Sequence, residues 1–195
     1  MATSLANASR LEWVGASDNS VPVVVDYAEG TSETFKRGDL VIYDRSEDGV
    51  VVVTQGDGGV YGDTNNDEVA NNVNCLGVAQ RDASGTAGTL IPVLLPRPNV
   101  DRFAAIVFDT DNTTVTAPVT DDIGTLVDFI KGDANNNSAT GVLRGTAGLW
   151  AKIVDISRQD TQFRGGTVGG DPTYSAGDRV VVVLQSGVSS DGSQA

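Results

Sequence analysis

The side chains of this sequence that carry chemistry are its carboxylates: 21 Asp and 5 Glu stand against 10 Arg and 3 Lys, with one Cys and no His. Grouped carboxylates do two kinds of work. They cage Ca²⁺ in oxygen ligands, or they act as an acid–base pair at a scissile bond. Three stretches are candidates for the first: Asp57 to Asp67, Asp109 to Asn112 and Asp133 to Asn137. Asp109-Thr-Asp111-Asn112 starts like a calcium loop, but Thr114 stands where that loop needs glycine and Thr120 where it needs a bidentate Glu. The glycine-rich calcium nonapeptide also fails around Gly58 to Asp63. Solvated turns account for all three. With 26 carboxylates an acid–base pair is allowed anywhere and indicated nowhere.

Other chemistries are excluded by what is missing. Without histidine there is no Ser-His-Asp or Cys-His machinery and no imidazole ligand. One Cys rules out an internal disulfide, a CxxC pair and a zinc knuckle. Cys75 lies in an apolar stretch, where a free thiol behaves as a small hydrophobe. Asp109-Thr-Asp111 is not the Asp-Thr-Gly of an aspartic protease, and Gly165 to Gly170 lacks the Lys-Ser/Thr of a phosphate loop. Arg37-Gly38-Asp39 spells the tripeptide that integrins recognise, but Gly-Asp is also what a tight turn requires. A charge of −13 argues against nucleic acid as a partner, because phosphate contacts need a basic face. No catalytic, cofactor-binding or metal-ligating residue is assigned, and the chain is read as not an enzyme.

The elements that would position any site are short strands. Glu and Lys, the helix formers, are scarce, and 28 Val fall mostly in runs separated by Gly, Asp and Asn. Strand candidates are Val21 to Tyr27, Leu40 to Tyr43, Val50 to Thr54, Cys75 to Gln80, Thr89 to Leu95, Phe103 to Phe108, Leu149 to Ile156 and the end of Tyr174 to Leu184. Pro96 and Pro98 stop one strand and mark a crossover. Ile123, Leu126, Val127 and Ile130 sit at helical spacing, but Gly124 and the β-branched Thr125 and Val127 favour a short turn and then a strand. The expected fold is all-β: a sandwich or barrel of short strands with long Gly/Asp/Asn loops (55–74 and 132–139) and little helix.

Phe35-x-x-Gly38-Asp39-x-Val41 is echoed by Tyr174-x-x-Gly177-Asp178-x-Val180. The echo fits duplicated halves or chance, so a division of the β-rich domain 21–186 into subdomains 21–98 and 99–186 stays open. Residues 1–20 read as an N-terminal arm and 187–195 as a flexible tail. In the arm, Leu11, Trp13 and Val14 are apolar among small polar residues. They either cover the edge of the chain's own core or dock on a neighbouring subunit, and they are the interface candidates. Met1 to Arg10 has no secretory pattern, and no apolar run reaches the ~18–20 residues of a membrane span, so a soluble protein made in a cytoplasm is expected.

Four segments carry a resemblance: Phe35-Lys-Arg-Gly-Asp-Leu-Val41, Leu76-Gly-Val-Ala79 with the following Gly turn and Leu90 to Leu95, Asp122-Ile-Gly-Thr-Leu-Val-Asp128, and Leu149 to Ile156. In these the chain resembles the capsid cement, or decoration, proteins of tailed bacteriophages. The resemblance implies a structural virion protein on the outer surface of the phage head, bridging capsomers, with the major capsid protein and other copies of itself, as a homotrimer, for partners. It implies no nucleic-acid or membrane contact. An acidic surface fits an outer position, since packaged DNA repels it. The rival readings are a tail-tube or neck subunit and an extracellular β-sandwich adhesin module.

Overall fold

The computed structural model describes residues 10–44, 48–52, 77–109, 114–131, 140–144, 151–157, 174 and 178–184. Among them the chain is β apart from a single 3₁₀ turn at Thr120–Asp122. The strands are β1 (Glu12–Ala16), β2 (Val23–Ala28), β3 (Leu40–Asp44), β4 (Gly49–Val52), β5 (Gly77–Ala79), β6 (Leu90–Leu95), β7 (Asp101–Phe108), β8 (Val115–Thr116), β9 (Leu126–Lys131), β10 (Thr140–Leu143), β11 (Ala151–Ser157) and β12 (Arg179–Leu184). They form two sheets, one of β2 to β6 and one of β7 to β12 with β1 added. The chain passes between sheets at Pro96-Arg97-Pro98, where the prolines end β6. The fold is all-β, as the composition requires, with two packed sheets.

The first sheet has the order β2-β6-β5-β3-β4, all antiparallel. It curls until an isolated parallel bridge joins Glu29 to Val50, with the Gly30 N–H donating to the Val50 carbonyl at 2.9 Å. Side chains alternate between its two faces. Phe35, Val41, Val50, Ala79, Ile91 and Val93 fill the inside of the curl. Leu40, Val78 and Leu94 turn the other way into the core of the second sheet. A sheet covered on both faces needs apolar residues at successive positions, which is why its strands read as unbroken apolar runs.

The second sheet closes on itself through β7, β10, β9, β11 and β12, because β12 also pairs with β7. β7 has partners on both edges. β1 and β12 both face residues 102–104 and so must lie on opposite edges. β10 runs parallel to β7 from Ile106 to Phe108, beyond the reach of β1. Phe103, Ala105 and Val107 of β7 point inward with Val127, Phe129, Val142, Ile153, Val180 and Val182. A register shift between Ile153 and Asp155 lets both Ile153 and Ile156 face that core although they are three apart.

The turn before β3 shows how local chemistry sets these strands. Gly38 has φ +90, a conformation that favours glycine. Asp39 is buried and its Oδ2 accepts the Lys36 N–H at 2.9 Å, reaching back along the chain rather than forward. Phe35, which opens the turn, is fully buried inside the first sheet, and Tyr174, its counterpart in the echo, packs against the second core. The turn-then-strand reading of 120–131 matches the 3₁₀ turn followed by β9. Loops 55–74 and 132–139, the tail 187–195, Cys75 and the calcium candidates Asp57–Asp67, Asp111, Asn112 and Asp133–Asn137 lie outside the described residues.

Candidate functional site

The three residues proposed for an interface occupy β1 and its approach. Leu11 is 4% exposed and sits in the chain's own core, its N–H donating to the Gly38 carbonyl at 3.3 Å. Trp13 is half-buried and packs against the same core, and Val14, at the register shift of β1, is half-buried. The segment therefore serves as a strand of its own subunit, and of the three candidates Trp13 and Val14 keep some exposed surface.

A carboxylate holds β1 there. Asp101 is fully buried at the start of β7. It accepts the Trp13 indole N–H at 3.0 Å, the Arg97 Nε and Nη2 donors at 3.0 and 2.7 Å, and the Arg97 backbone N–H at 2.8 Å. Burial alone would raise its pKa, but the Arg97 and Trp13 hydrogen bonds outweigh that and hold the carboxyl below its ordinary value. Arg97 also donates to Ser20 and faces Asp18. One network thus ties the N-terminal strand to the crossover between the sheets.

The other buried acids are committed in similar ways. Asp122 takes Arg144 in a bidentate pair at 3.0 and 2.7 Å and also the Val119 N–H at 2.8 Å. Glu29 accepts the Ser84 N–H and hydroxyl at 2.9 and 2.7 Å and the Gly85 N–H at 2.6 Å, bracing the loop before β6. Burial opposes its charge, yet the Ser84 and Gly85 donors and the nearby Arg81 hold its pKa below the ordinary 4.5. Asp39 of the Arg-Gly-Asp tripeptide is 1% exposed and faces the Arg10 Nε at 3.6 Å, so its carboxylate is not on display to an integrin. Among the described residues no group of three or more His, Cys, Asp or Glu is placed to hold a metal ion, and no helix is long and apolar enough to cross a membrane. These acids brace turns and strands.

Because the pKa of Glu29 is lowered on folding, its contribution is present above pH 4.5 and is lost as pH falls through the folded value. Glu29→Gln keeps the shape but aims an amide NH₂ at N–H donors. It is expected to lower stability by about 2 kcal/mol at neutral pH. Urea midpoints of the two proteins should converge as pH falls through the lowered folded value of Glu29; a gap that keeps its size into acid would show that the ionised Glu29 is not its source.

What sequence reading missed is an open apolar edge. β2 ends the first sheet, and Val21, Val23, Val24 and Val25 are 78%, 44%, 47% and 39% exposed. Leu90, opposite Ala28, and Tyr43, whose ring stands 6.2 Å from that of Tyr27, extend the patch. Of the nine exposed large apolar side chains among the described residues, these six lie on or beside β2. The other three, Val119, Ile123 and Leu126, form a smaller patch around the 3₁₀ turn. The backbone of β2 can be sorted by its partner. Pro92 has no N–H and its carbonyl accepts from Gln80, so the pair Asp26–Pro92 exchanges no hydrogen bond. Val23, Val25 and Tyr27 therefore bond to β6, while the N–H and C=O groups of Val24 and Asp26 point out along the free edge, in phase with Gly30, which bonds Val50. The one sequence signal was Pro22 beside the valine run, since proline brings no N–H to the ladder and is commonest at sheet edges and strand starts.

Comparison of the chain with family models, curated proteins and solved structures returned no match.

Proposed function

We propose that this chain is a structural virion protein that binds the outer surface of a phage head and stabilises the capsid by bridging capsomers. The observation that carries the reading is the apolar free edge of β2, displayed on an all-β scaffold whose described buried acids brace its own turns and strands. A monomer gains nothing from exposing Val21 and Val23 to Val25, and such patches mark sites of protein contact. The net charge of −13 favours a position away from packaged DNA. The resemblance to cement proteins supplies the partner, the major capsid protein, and the expectation of a homotrimer. The function is mechanical and needs no catalytic residue.

Quantitative mass spectrometry of gradient-purified virus particles from the producing culture tests it. A copy number close to that of the shell protein is the expected result. A few to a few dozen copies would assign the chain to a neck, tail or fibre. Absence from particles would end the assembly reading and reopen the adhesin and enzyme readings.

A further inference from the structure

We propose that the free edge of β2 is a self-pairing surface, on which a second copy of this chain adds its own β2 antiparallel about a twofold axis at Val25. The shell reading draws on the same edge and expects a homotrimer through the resemblance; a twofold pair of edges is a different occupant, and the purified chain tests it without a shell.

The edge itself specifies an extended strand as its occupant. Among the described residues none pairs with the N–H and C=O that Val24 and Asp26 each present in the plane of the sheet, and only another strand satisfies that row without a change of backbone. The side chains then select the register. An axis at Asp26 would set Asp26 directly against the partner's Asp26, and like charges at opposite positions destabilise a strand pair. An axis at Val24 would set Asp26 against the partner's Pro22, which has no N–H to give. An axis at Val25 avoids the acid pair and moves the partner's Pro22 out to Ala28, at the end of the paired segment. Val24 then exchanges both backbone bonds with the partner's Asp26, and Asp26 with the partner's Val24. On one face Val25 meets the partner's Val25, and Val23 meets the partner's Tyr27, beside Tyr43. Aromatic and β-branched cross-strand pairs are the favourable kind.

The size is sufficient. The six exposed apolar side chains at this edge amount to several hundred Å² per copy. Two copies together reach on the order of 1,000 Å², where specific interfaces begin. The charge is adverse at long range, because both copies carry −13. The pairing should therefore tighten with salt, which screens charges beyond about 8 Å at physiological ionic strength.

Sedimentation equilibrium of the purified full chain at about 50 mM and about 500 mM salt reads the association, with circular dichroism as the check on folding. The expected result is a dimer, tighter at the higher salt. Val24→Pro removes an outward N–H that no described residue accepts, so it should keep the fold and weaken dimerisation at least tenfold. Val25→Glu and Val25→Lys each place like charges across the axis. Each should be monomeric, and an equal mixture of the two should recover the dimer, a result that local damage to β2 cannot produce. Should Val24→Pro fail to fold, the charge pair decides alone. The proposal is overturned if the wild type stays monomeric at high concentration. It is equally overturned by a trimer or other oligomer that Val24→Pro leaves intact, or by Val25→Glu and Val25→Lys failing to dimerise when mixed.

Discussion

Gly77→Ala is expected to abolish or nearly abolish folding. β5 is only three residues long and is held between β3 and β6, with Val41 opposite Gly77 and Leu94 opposite Val78. A Cβ at position 77 would lie 2.1 Å from the Leu94 carbonyl oxygen and 2.8 Å from Val93 Cγ1. The first of these is backbone in the centre of a sheet and has no rotamer by which to escape. Relief would require β5 and β6 to move apart, breaking the pairs Val78–Leu94 and Ala79–Val93 and opening the contact of Leu40, Val78 and Leu94 with the second core. Overpacking a well-filled core costs about 1–3 kcal/mol when side chains can shift, and more when backbone must. A loss of more than about 3 kcal/mol is a large part of a typical domain's stability. Soluble yield and the urea midpoint measure it. A Gly77→Ala protein that melts within about 2 °C of wild type would show that the strands do not approach as described.

Asp101→Ala is expected to cost about 3 kcal/mol, as removing one partner of a buried ion pair does. The carboxylate has zero exposure and four donors, so its loss leaves the Trp13 indole N–H and the Arg97 backbone N–H without an acceptor at a buried position. The figure stays at the low end because the Arg97 guanidinium is 30% exposed and can turn to water. For a chain of this length the melting temperature should fall by roughly 6–12 °C. The damage should centre on β1, whose register with β7 runs from Glu12–Ala104 to Ala16–Asp101. Amide exchange at Ser17, whose N–H donates to the Val100 carbonyl beside Asp101, should accelerate more than in β12, which lies on the other edge of β7. The lowered pKa of Asp101 sets the pH dependence: its contribution holds above the ordinary 3.8 and fades as pH falls through the lower folded value. A uniform rise in exchange over both sheets would mean that Asp101 supports the whole fold and not this strand.

Most of what was legible in the sequence is local. The turn at Phe35 to Val41 follows from glycine's access to positive φ and from a short acid beside it, and the structure has both. The Gly85–Gly88 turn, with φ of +76 and +81, is another case. Pro96 and Pro98, two prolines in close succession, announced the end of β6 because each withholds a ladder N–H, whereas the lone Pro92 is tolerated within β6. β8 and β10 went unread: β8 is two residues long, and β10 holds Gly141, whose presence reflects a partner rather than a propensity. A Cβ at 141 would lie 2.6 Å from the Ile106 carbonyl oxygen of β7, a contact across more than 30 residues of sequence. Gly77 is similar. Nothing in Leu76-Gly77-Val78-Ala79 distinguishes a glycine needed for a turn from one needed for close packing of strands.

The valine runs mark the boundary between the two kinds of information. Val23-Val24-Val25 and Val180-Val181-Val182-Val183 are nearly the same string, and both are strands, as β-branched residues dictate. The second run lies between β11 and β7, and its Val180 and Val182 are fully buried. The first has β6 on one side only, and all three of its valines are more than a third exposed. The sequence by itself determined that each would be extended, because steric preference at Cβ acts within a residue. How many neighbours each would have depends on where β6, β7 and β11 arrive from elsewhere in the chain, and only the tertiary structure decided that.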